Sequence, residues 1–447
     1  MSEVWHRCCR CRRLAVLVLL LVLCGQSGRS AAQSAGSKPV ANKPAAKPHR
    51  PTLQKLLQLP HWAQLQLAIS ADPLFNPVGG LQSTGTWVQQ GSIDLQLSSG
   101  LAKPSSQWKE GDHWGLNLNV SHVAGNDALN TEIGALFPLQ VVADPPGFWL
   151  GEATVERKAA GSGLGVKGGI LSLDPDFAAV PIASLYVHAS LNNTLNISNN
   201  DLPINPYTAV GGVVTLEPSK VLQLRLGLYS LASVVPVSGW LGAQPSLASQ
   251  GSGTAQIVQL NYTGSSLAPA ADQPLTACGP SWALVRDRPR CPKHTTIHNQ
   301  LPGGLISVGA FNTADPQSGD GIYGSITVRS GLPLGLDDRV WIGASYSPNR
   351  AVDFAPTFVA GGLVVQGLVP GRAEDVVLLG LGRGGLSAEA APYPTSSYEG
   401  MVELGYRVAL NQTVQLQPTL QWIINPSGAN QPVPGILALG MRIDVNF

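Results

Sequence analysis

The residues that could do chemistry are scattered charged side chains, several of them at even spacings. Glu152 and Glu156 lie four positions apart, and so do Glu403 and Arg407. Paired carboxylates can serve acid–base catalysis in a cleft, but the run around Glu152 is typical of a β-strand. The sequence contains no G-x-S-x-G, H-E-x-x-H or P-loop motif, and Gly163–Gly169 lacks the strand-to-helix context of a phosphate loop. We therefore expect neither an enzyme nor a bound cofactor.

The cysteines indicate export rather than a metal centre. Beyond the first 32 residues only Cys278 and Cys291 remain, inside a segment rich in proline and arginine. Two thiols at this spacing in an exported chain are predicted to form one loop disulfide. His294 and His298 follow Cys291 and form a conceivable zinc ligand set, which is the less favoured alternative. We expect no metal.

The composition favours β-strands in lipid over helices in lipid. Charged residues make up 12% of the chain, against roughly 25% in a typical soluble domain. Glycine is frequent, yet no apolar run in the body of the chain approaches the roughly 20 residues that a membrane helix needs. Without residues 1–32 the chain is weakly acidic, which argues against a nucleic-acid partner.

The N-terminus has the pattern of a secretory signal. Several arginines precede a short apolar core at Leu14–Leu23, and Ser30, Ala31 and Ala32 fit a cleavage site before Gln33. We therefore predict a signal peptide over residues 1–32. Residues 33–60 are rich in alanine, proline and lysine without any acidic residue, which predicts a flexible, disordered, basic periplasmic tail. Residues 61–447 are predicted to form the β-barrel domain.

Short segments with period-two alternation recur through this domain. The leucines of Leu222–Leu228 alternate with Gln223 and Arg225, and the odd residues from Leu437 to the terminal Phe447 are all apolar. Such segments of about ten residues, separated by turn residues, are typical of a transmembrane antiparallel β-barrel, whose apolar face meets lipid and whose polar face lines the lumen. The predicted fold class is all-β.

The phase of the alternation selects candidate lining residues. Charged side chains that alternate with the apolar rows should point into the lumen, where water solvates them. The candidates are Glu152, Glu156, Arg225, Glu403, Arg407 and Arg442. Aromatic residues near segment ends suit a girdle at the membrane interface: Trp62, Trp114, Trp149, Tyr229, Tyr346, Tyr406 and Trp422. Arg372 and Asp375 are predicted to pair at a turn.

Three C-terminal segments stand out: Y-E-G-M-V-E-L-G-Y from Tyr398, L-Q-P-T-L-Q-W-I-I-N-P from Leu416 and L-A-L-G-M-R from Leu437. In these segments the chain most strongly resembles the carbohydrate-selective porins of Gram-negative outer membranes, the OprB type, and the resemblance extends over roughly residues 80–447. It implies a barrel of sixteen strands in the outer membrane that lets sugars diffuse through a constriction lined by charged residues.

The resulting prediction is a passive porin for small hydrophilic solutes, with carbohydrates favoured. A general or ion-selective pore is one alternative, and a secreted β-rich adhesion or wall-binding protein is a second. The expected partners are outer-membrane lipid, small sugars or similar solutes, and the barrel-insertion machinery, which would read the terminal aromatic strand through Phe447.

Overall fold

The computed structural model describes residues 53, 57–60, 62–99, 113–126, 129–159, 161–192, 195, 197, 202–231, 253–264, 267–268, 301–314, 319–332, 334, 337–351, 353–370, 372–389, 396–411 and 413–447. The predicted signal peptide, most of the predicted tail, and the predicted disulfide partners Cys278 and Cys291 lie outside the described residues. So do His294 and His298.

Sixteen strands form one closed barrel. They are β1 Ala63–Val78, β2 Gly85–Ser98, β3 His113–Gly125, β4 Gly147–Lys158, β5 Leu164–Leu171, β6 Ala209–Leu216, β7 Leu222–Ser230, β8 Thr254–Tyr262, β9 Leu305–Ala314, β10 Asp320–Val328, β11 Asp337–Tyr346, β12 Thr357–Gln366, β13 Val376–Gly385, β14 Tyr398–Ala409, β15 Val414–Ile424 and β16 Ile436–Asn446. The prediction of an all-β transmembrane barrel of sixteen strands is confirmed.

Every strand pairs antiparallel with its neighbours in the chain, and the last strand closes on the first. At this seam Ala68 of β1 lies opposite Asn446 of β16, and Leu74 lies opposite Gly440. A closed barrel leaves no strand edge unpaired, which is the requirement for extended chain inside a bilayer. Among the described residues, no helix is both long and apolar enough to cross a membrane.

The wall is apolar outside and polar inside, the reverse of a soluble protein. Glu403 on β14 is 0% exposed, whereas the adjacent Leu404 is 49% exposed. The same contrast separates buried Gln259 from exposed Val258 and Leu260 on β8. Period-two alternation therefore sends leucine and valine rows outward, where lipid would cover them, and amides and carboxylates inward.

The connections between strands range from tight turns to long insertions. The terminal edge, where β1 begins and β16 ends, carries tight turns such as 159–163, 217–221 and 410–413, and also the longest connection, between β8 and β9. The opposite edge carries the two insertions that the structure largely describes: the β3–β4 insertion, residues 126–146, and the β5–β6 insertion, residues 172–208. They contain the helices α1 (Leu129–Ile133) and α2 (Ala189–Asn192) and a 3-10 helix (Pro181–Leu185). Both insertions contact the inner wall.

The aromatic girdle was predicted correctly only in part. Trp62, Trp114, Tyr346 and Trp422 are exposed on the outer face, as expected. Trp149 and Tyr229 were wrongly assigned: they are 2% and 0% exposed and face the interior.

The error at Trp149 has a local cause in the wall. In the β3–β4 pairing, Asn119 lies opposite Glu152 while Val120 lies opposite Leu150, so Gly151 is an extra residue. This bulge reverses the alternation within β4 and puts both Trp149 and Glu152 on the inner face.

Candidate functional site: the barrel interior

The predicted lining residue Glu403 binds the main chain of the β5–β6 insertion. Its carboxylate accepts hydrogen bonds from the Val187 N–H at 2.8 and 3.1 Å and from the His188 N–H at 2.8 Å. The Thr419 hydroxyl on the next strand donates a further bond at 3.2 Å. Glu403 is thus a buried contact between wall and insertion.

Arg442 and Arg407 belong to a cluster of ion pairs beside the barrel seam. The Arg442 guanidinium donates from Nε to Asp72 Oδ1 at 2.8 Å and from Nη2 to Asp72 Oδ2 at 2.6 Å, with both side chains buried. Its Nη1 also donates to the Tyr186 carbonyl at 3.2 Å. Arg407 lies 2.9 Å from Asp444. These pairs hold β1, β14 and β16 together and touch the β5–β6 insertion.

The remaining candidates gather on β4 to β7. Arg225 donates from Nη1 to the Asp176 carbonyl at 2.6 Å, and its guanidinium lies 3.5 Å from the Asp176 carboxylate. Lys167 on β5 forms an ion pair with Asp176 and lies 3.7 Å from Glu152. Nearer the terminal edge of the barrel, Glu156 Oε1 is 3.6 Å from His113 Nε2. The structure therefore divides the six predicted residues between two clusters, and their role as pore lining stays a prediction.

Several charged residues of the interior escaped sequence reasoning. Lys167 lies on a strand that reads L-G-V-K-G-G-I-L, in which three glycines blur the alternation. Asp72 precedes Pro73, a pair more typical of a turn than of the middle of a strand. Glu399 shares the inner face of β14 with Glu403, and its spacing of four residues was the available signal.

The β5–β6 insertion packs an apolar cluster onto the wall of β11 to β13. The Tyr186 hydroxyl donates to the Leu379 carbonyl at 2.9 Å and accepts from Trp341 Nε1 at 3.1 Å. A Cβ at Gly380 would lie 2.5 Å from a Tyr186 ring carbon, so glycine is needed for this close approach. Burial raises the pKa of Tyr186, which therefore stays a neutral phenol at physiological pH.

The same insertion buries His188, which lies immediately before helix α2. Burial lowers the pKa of His188 to about 3, so the imidazole is neutral at ordinary pH. Its Nδ1 accepts a hydrogen bond from the Ser190 N–H at 3.2 Å. The insertion thus carries no charge at this position beside the Glu403 carboxylate.

The opposite part of the wall keeps its inner side chains partly exposed. On β8 to β10 the inner residues Gln259, Asn261, Ser307, Ser325 and Thr327 are all buried. On β1 to β3 several inner residues are only partly buried, and they form the polar wall: Gln64, Gln66, Ser70, Gln90, Ser92, Asp94, Gln96 and Asn119. Among the described residues, the polar wall is therefore a part of the inner face that other side chains leave partly exposed. Among the described residues, no group of three or more metal-ligating side chains is placed to hold an ion.

Comparison with known proteins agrees with this geometry. The family described as "Carbohydrate-selective porin, OprB family" matches residues 335–447. The high-pH structure of OprB from Pseudomonas putida is similar with 15% identity and a TM-score of 0.67, over 88% of this chain and 96% of that chain. Its low-pH structure gives 13% identity and a TM-score of 0.48, over 88% of this chain and 95% of that chain.

A further solved structure is more distant. OccD3 from Pseudomonas aeruginosa has 13% identity and a TM-score of 0.42, over 86% of this chain and 91% of that chain. No curated protein matches the sequence. The fold comparison rests on the first OprB structure, and the family match covers the C-terminal strands. Together with the inverted polarity of the wall, they agree with the resemblance seen in the sequence: residues 335–447 match the carbohydrate-selective porin family, and the whole barrel has a fold similar to that of the Pseudomonas putida OprB structure.

Proposed function

We propose that small, neutral, polyhydroxylated solutes, sugars above all, cross the barrel along the polar wall. The observation that carries this proposal is the row of partly exposed amides and hydroxyls on β1 to β3, such as Gln66, Gln90 and Gln96. Amide groups both donate and accept hydrogen bonds, so they can replace the water around sugar hydroxyls one bond at a time. A lining made mainly of neutral side chains also avoids holding the solute tightly, which favours its release.

The two insertions limit the solutes to small ones. Phe177, Leu191 and Leu195 of the β5–β6 insertion are buried inside the barrel, where an open lumen would otherwise lie. The water path is thereby restricted to the part of the cross-section beside the polar wall. Long oligosaccharides should pass poorly.

Swelling of liposomes that contain the purified barrel tests this proposal. Glucose should enter quickly and a long maltodextrin slowly. Replacing Gln66 and Gln90 together with leucine should slow glucose entry, because an apolar wall offers the hydroxyls no partners. The matched control is Ser325→Ala, which removes a buried inner hydroxyl on β10, 2.7 Å from Ser307. Equal rates for the double variant and the control would refute the assignment of the path.

An ion-selective pore is the second candidate, and one group of charges favours it. Asp94 lies on the polar wall and accepts hydrogen bonds from Asn119 at 2.5 Å and Ser92 at 3.4 Å, with no ion pair among the described residues. Glu152 is its electrostatic neighbour. In planar bilayers, a cation-selective current that glucose or maltodextrin does not block would support this candidate over a sugar path.

Assembly and orientation complete the proposal. The signal peptide would direct export, the basic tail would lie in the periplasm, and the insertion machinery would read Phe447. Phe447 is 44% exposed, and its N–H donates to the Leu67 carbonyl at 2.9 Å across the seam. Deletion of Phe447 should reduce the amount of assembled barrel in the outer membrane, whereas Phe447→Tyr should preserve it. Normal assembly of the deletion variant would contradict this role.

A further inference from the structure

The inner face of β14 binds main chain from three connecting segments through two carboxylates. Glu399 accepts hydrogen bonds from the Leu136 N–H at 2.9 and 3.1 Å, from the Phe137 N–H at 3.0 Å and from the Ser427 N–H at 2.7 Å. Leu136 and Phe137 belong to the β3–β4 insertion, and Ser427 lies between β15 and β16. Glu403, four residues further along the same face, binds the β5–β6 insertion as described above.

These two carboxylates are fully buried and are satisfied mainly by main chain. Both are 0% exposed. The described residues place no cation in an ion pair with either of them. A buried carboxylate needs several donors, and hydrogen bonds that N–H groups donate to a charged acceptor are about twice as strong as those between neutral groups. The N–H groups of the insertions and the carboxylates of β14 therefore depend on each other.

Neutral side chains on the adjacent strand, β15, also bind the main chain of the two insertions. Gln417 donates from Nε2 to the Leu185 carbonyl at 2.8 Å, and Gln421 donates from Nε2 to the Leu139 carbonyl at 3.0 Å. Inner side chains of β14 and β15 thus form hydrogen bonds with the main chain of both insertions. The polar wall, which lies across the seam on β1 to β3, keeps its side chains partly exposed among the described residues.

We propose that Glu399 and Glu403 are positioning residues that fix the cross-section of the channel. They hold both insertions against β14, so that the water path keeps a constant width along the polar wall. This inference rests on the proposed function, because it assumes that solutes pass beside the polar wall. It differs from a purely structural role, since the barrel wall does not depend on these bonds: β14 pairs with β13 and β15 through its own ladders.

Single-channel recording and liposome swelling of Glu399→Ala, Glu403→Ala and the double variant test the proposal. We expect each variant to keep the heat-modifiable gel mobility of a folded barrel. Its current should lose the steady single level of the native channel and flicker among several levels. Its size limit in the swelling assay should shift toward longer maltodextrins. The double variant should show the largest effect.

A conservative variant and a matched control make the test specific. Glu403→Gln keeps the shape and one acceptor oxygen, so it should restore most of the steady current. Asp375→Ala removes a buried carboxylate outside the polar wall that bonds to Arg372, Tyr406 and the Ala409 N–H rather than to an insertion. It should leave the current steady and the size limit unchanged.

The possible outcomes separate this inference from the proposed function. Native size limits and steady currents in folded Glu399→Ala and Glu403→Ala channels would overturn the positioning role and leave the porin function intact. If the alanine variants do not fold, an unchanged steady current in Glu403→Gln together with protease resistance of both insertions would support the inference. Flicker of equal strength in Asp375→Ala would overturn it. A native barrel that admits no solute would refute the proposed function and this inference together.

Discussion

The ion pair between Asp72 and Arg442 offers the sharpest test of how the interior is held together. The two side chains are 1% and 5% exposed and form two parallel hydrogen bonds of 2.8 and 2.6 Å across the seam between β1 and β16. Removing one partner of a buried pair leaves an uncompensated charge and costs about 3–5 kcal/mol. Asp72→Asn and Arg442→Met should each destabilise the barrel by this amount.

Replacing both partners should cost much less than the sum of the single changes. In the Asp72→Asn, Arg442→Met double variant no buried charge is left without its partner, so we expect a coupling energy on the order of 2 kcal/mol. Arg442→Met also removes the bond to the Tyr186 carbonyl, which adds about 1 kcal/mol to that single variant.

Urea unfolding of the barrel refolded in phospholipid vesicles measures these free energies. The control is the pair of Lys158 and Glu217, whose charged atoms are 2.9 Å apart but whose lysine side chain is 43% exposed. An exposed pair of this kind should give a coupling of about 0.2–1 kcal/mol. Additivity of the Asp72 and Arg442 changes within about 0.5 kcal/mol would refute the reasoning.

Two further predictions concern the outer face and a turn. Leu404→Arg places a charge on the lipid-facing side of β14 near mid-strand and should destabilise the barrel by about 2–4 kcal/mol in urea unfolding, whereas Val408→Arg near the terminal edge should cost about 0–1 kcal/mol; equal costs would contradict the lipid-facing assignment. At the turn after β12, burial raises the pKa of Asp375, but hydrogen bonds from Arg372, Tyr406 and the Ala409 N–H outweigh it and lower that pKa below 3.8. A carboxylate whose pKa is lower in the folded than in the unfolded state stabilises the fold at pH values above its unfolded-state pKa. This stabilisation is lost as the pH falls through the folded-state pKa. The destabilisation caused by Asp375→Asn should therefore shrink between pH 7 and pH 3. A difference that is constant with pH would contradict this.

The wall of the barrel could be predicted from the sequence because each strand carries its own signal. Within one strand, period-two alternation is enough to place Leu404 on the lipid-facing side and Arg442 on the inner side, without knowledge of any other strand. The turn pair of Arg372 and Asp375 was equally local, and its predicted contact is confirmed by bonds of 2.7 and 2.9 Å. The bulge at Gly151 shows the limit of this reasoning, since one extra residue reversed the assignment of Trp149.

The interior could not be predicted because its contacts join distant residues through main chain. Glu399 and Leu136 are 263 positions apart. Nearly every residue has a backbone N–H group. The partner of a carboxylate that binds backbone can therefore be almost any residue type, and the sequence does not reveal it. The β5–β6 insertion has no alternation to show that it folds inward, and its apolar residues could equally have covered a soluble core. The alternation places Glu403 on the inner face, but nothing in the sequence indicated its contact with Val187 and His188.

Cysteine accessibility during single-channel recording tests the central claim, a water path along the polar wall. In a chain with Cys278 and Cys291 replaced by serine, we would introduce Gln90→Cys on the polar wall, Ser325→Cys on the covered wall and Leu379→Cys on the outer face, and add a charged, membrane-impermeant thiol reagent. The account predicts a stepwise fall in current for Gln90→Cys and no change for the other two. A fall for Ser325→Cys with none for Gln90→Cys would contradict it.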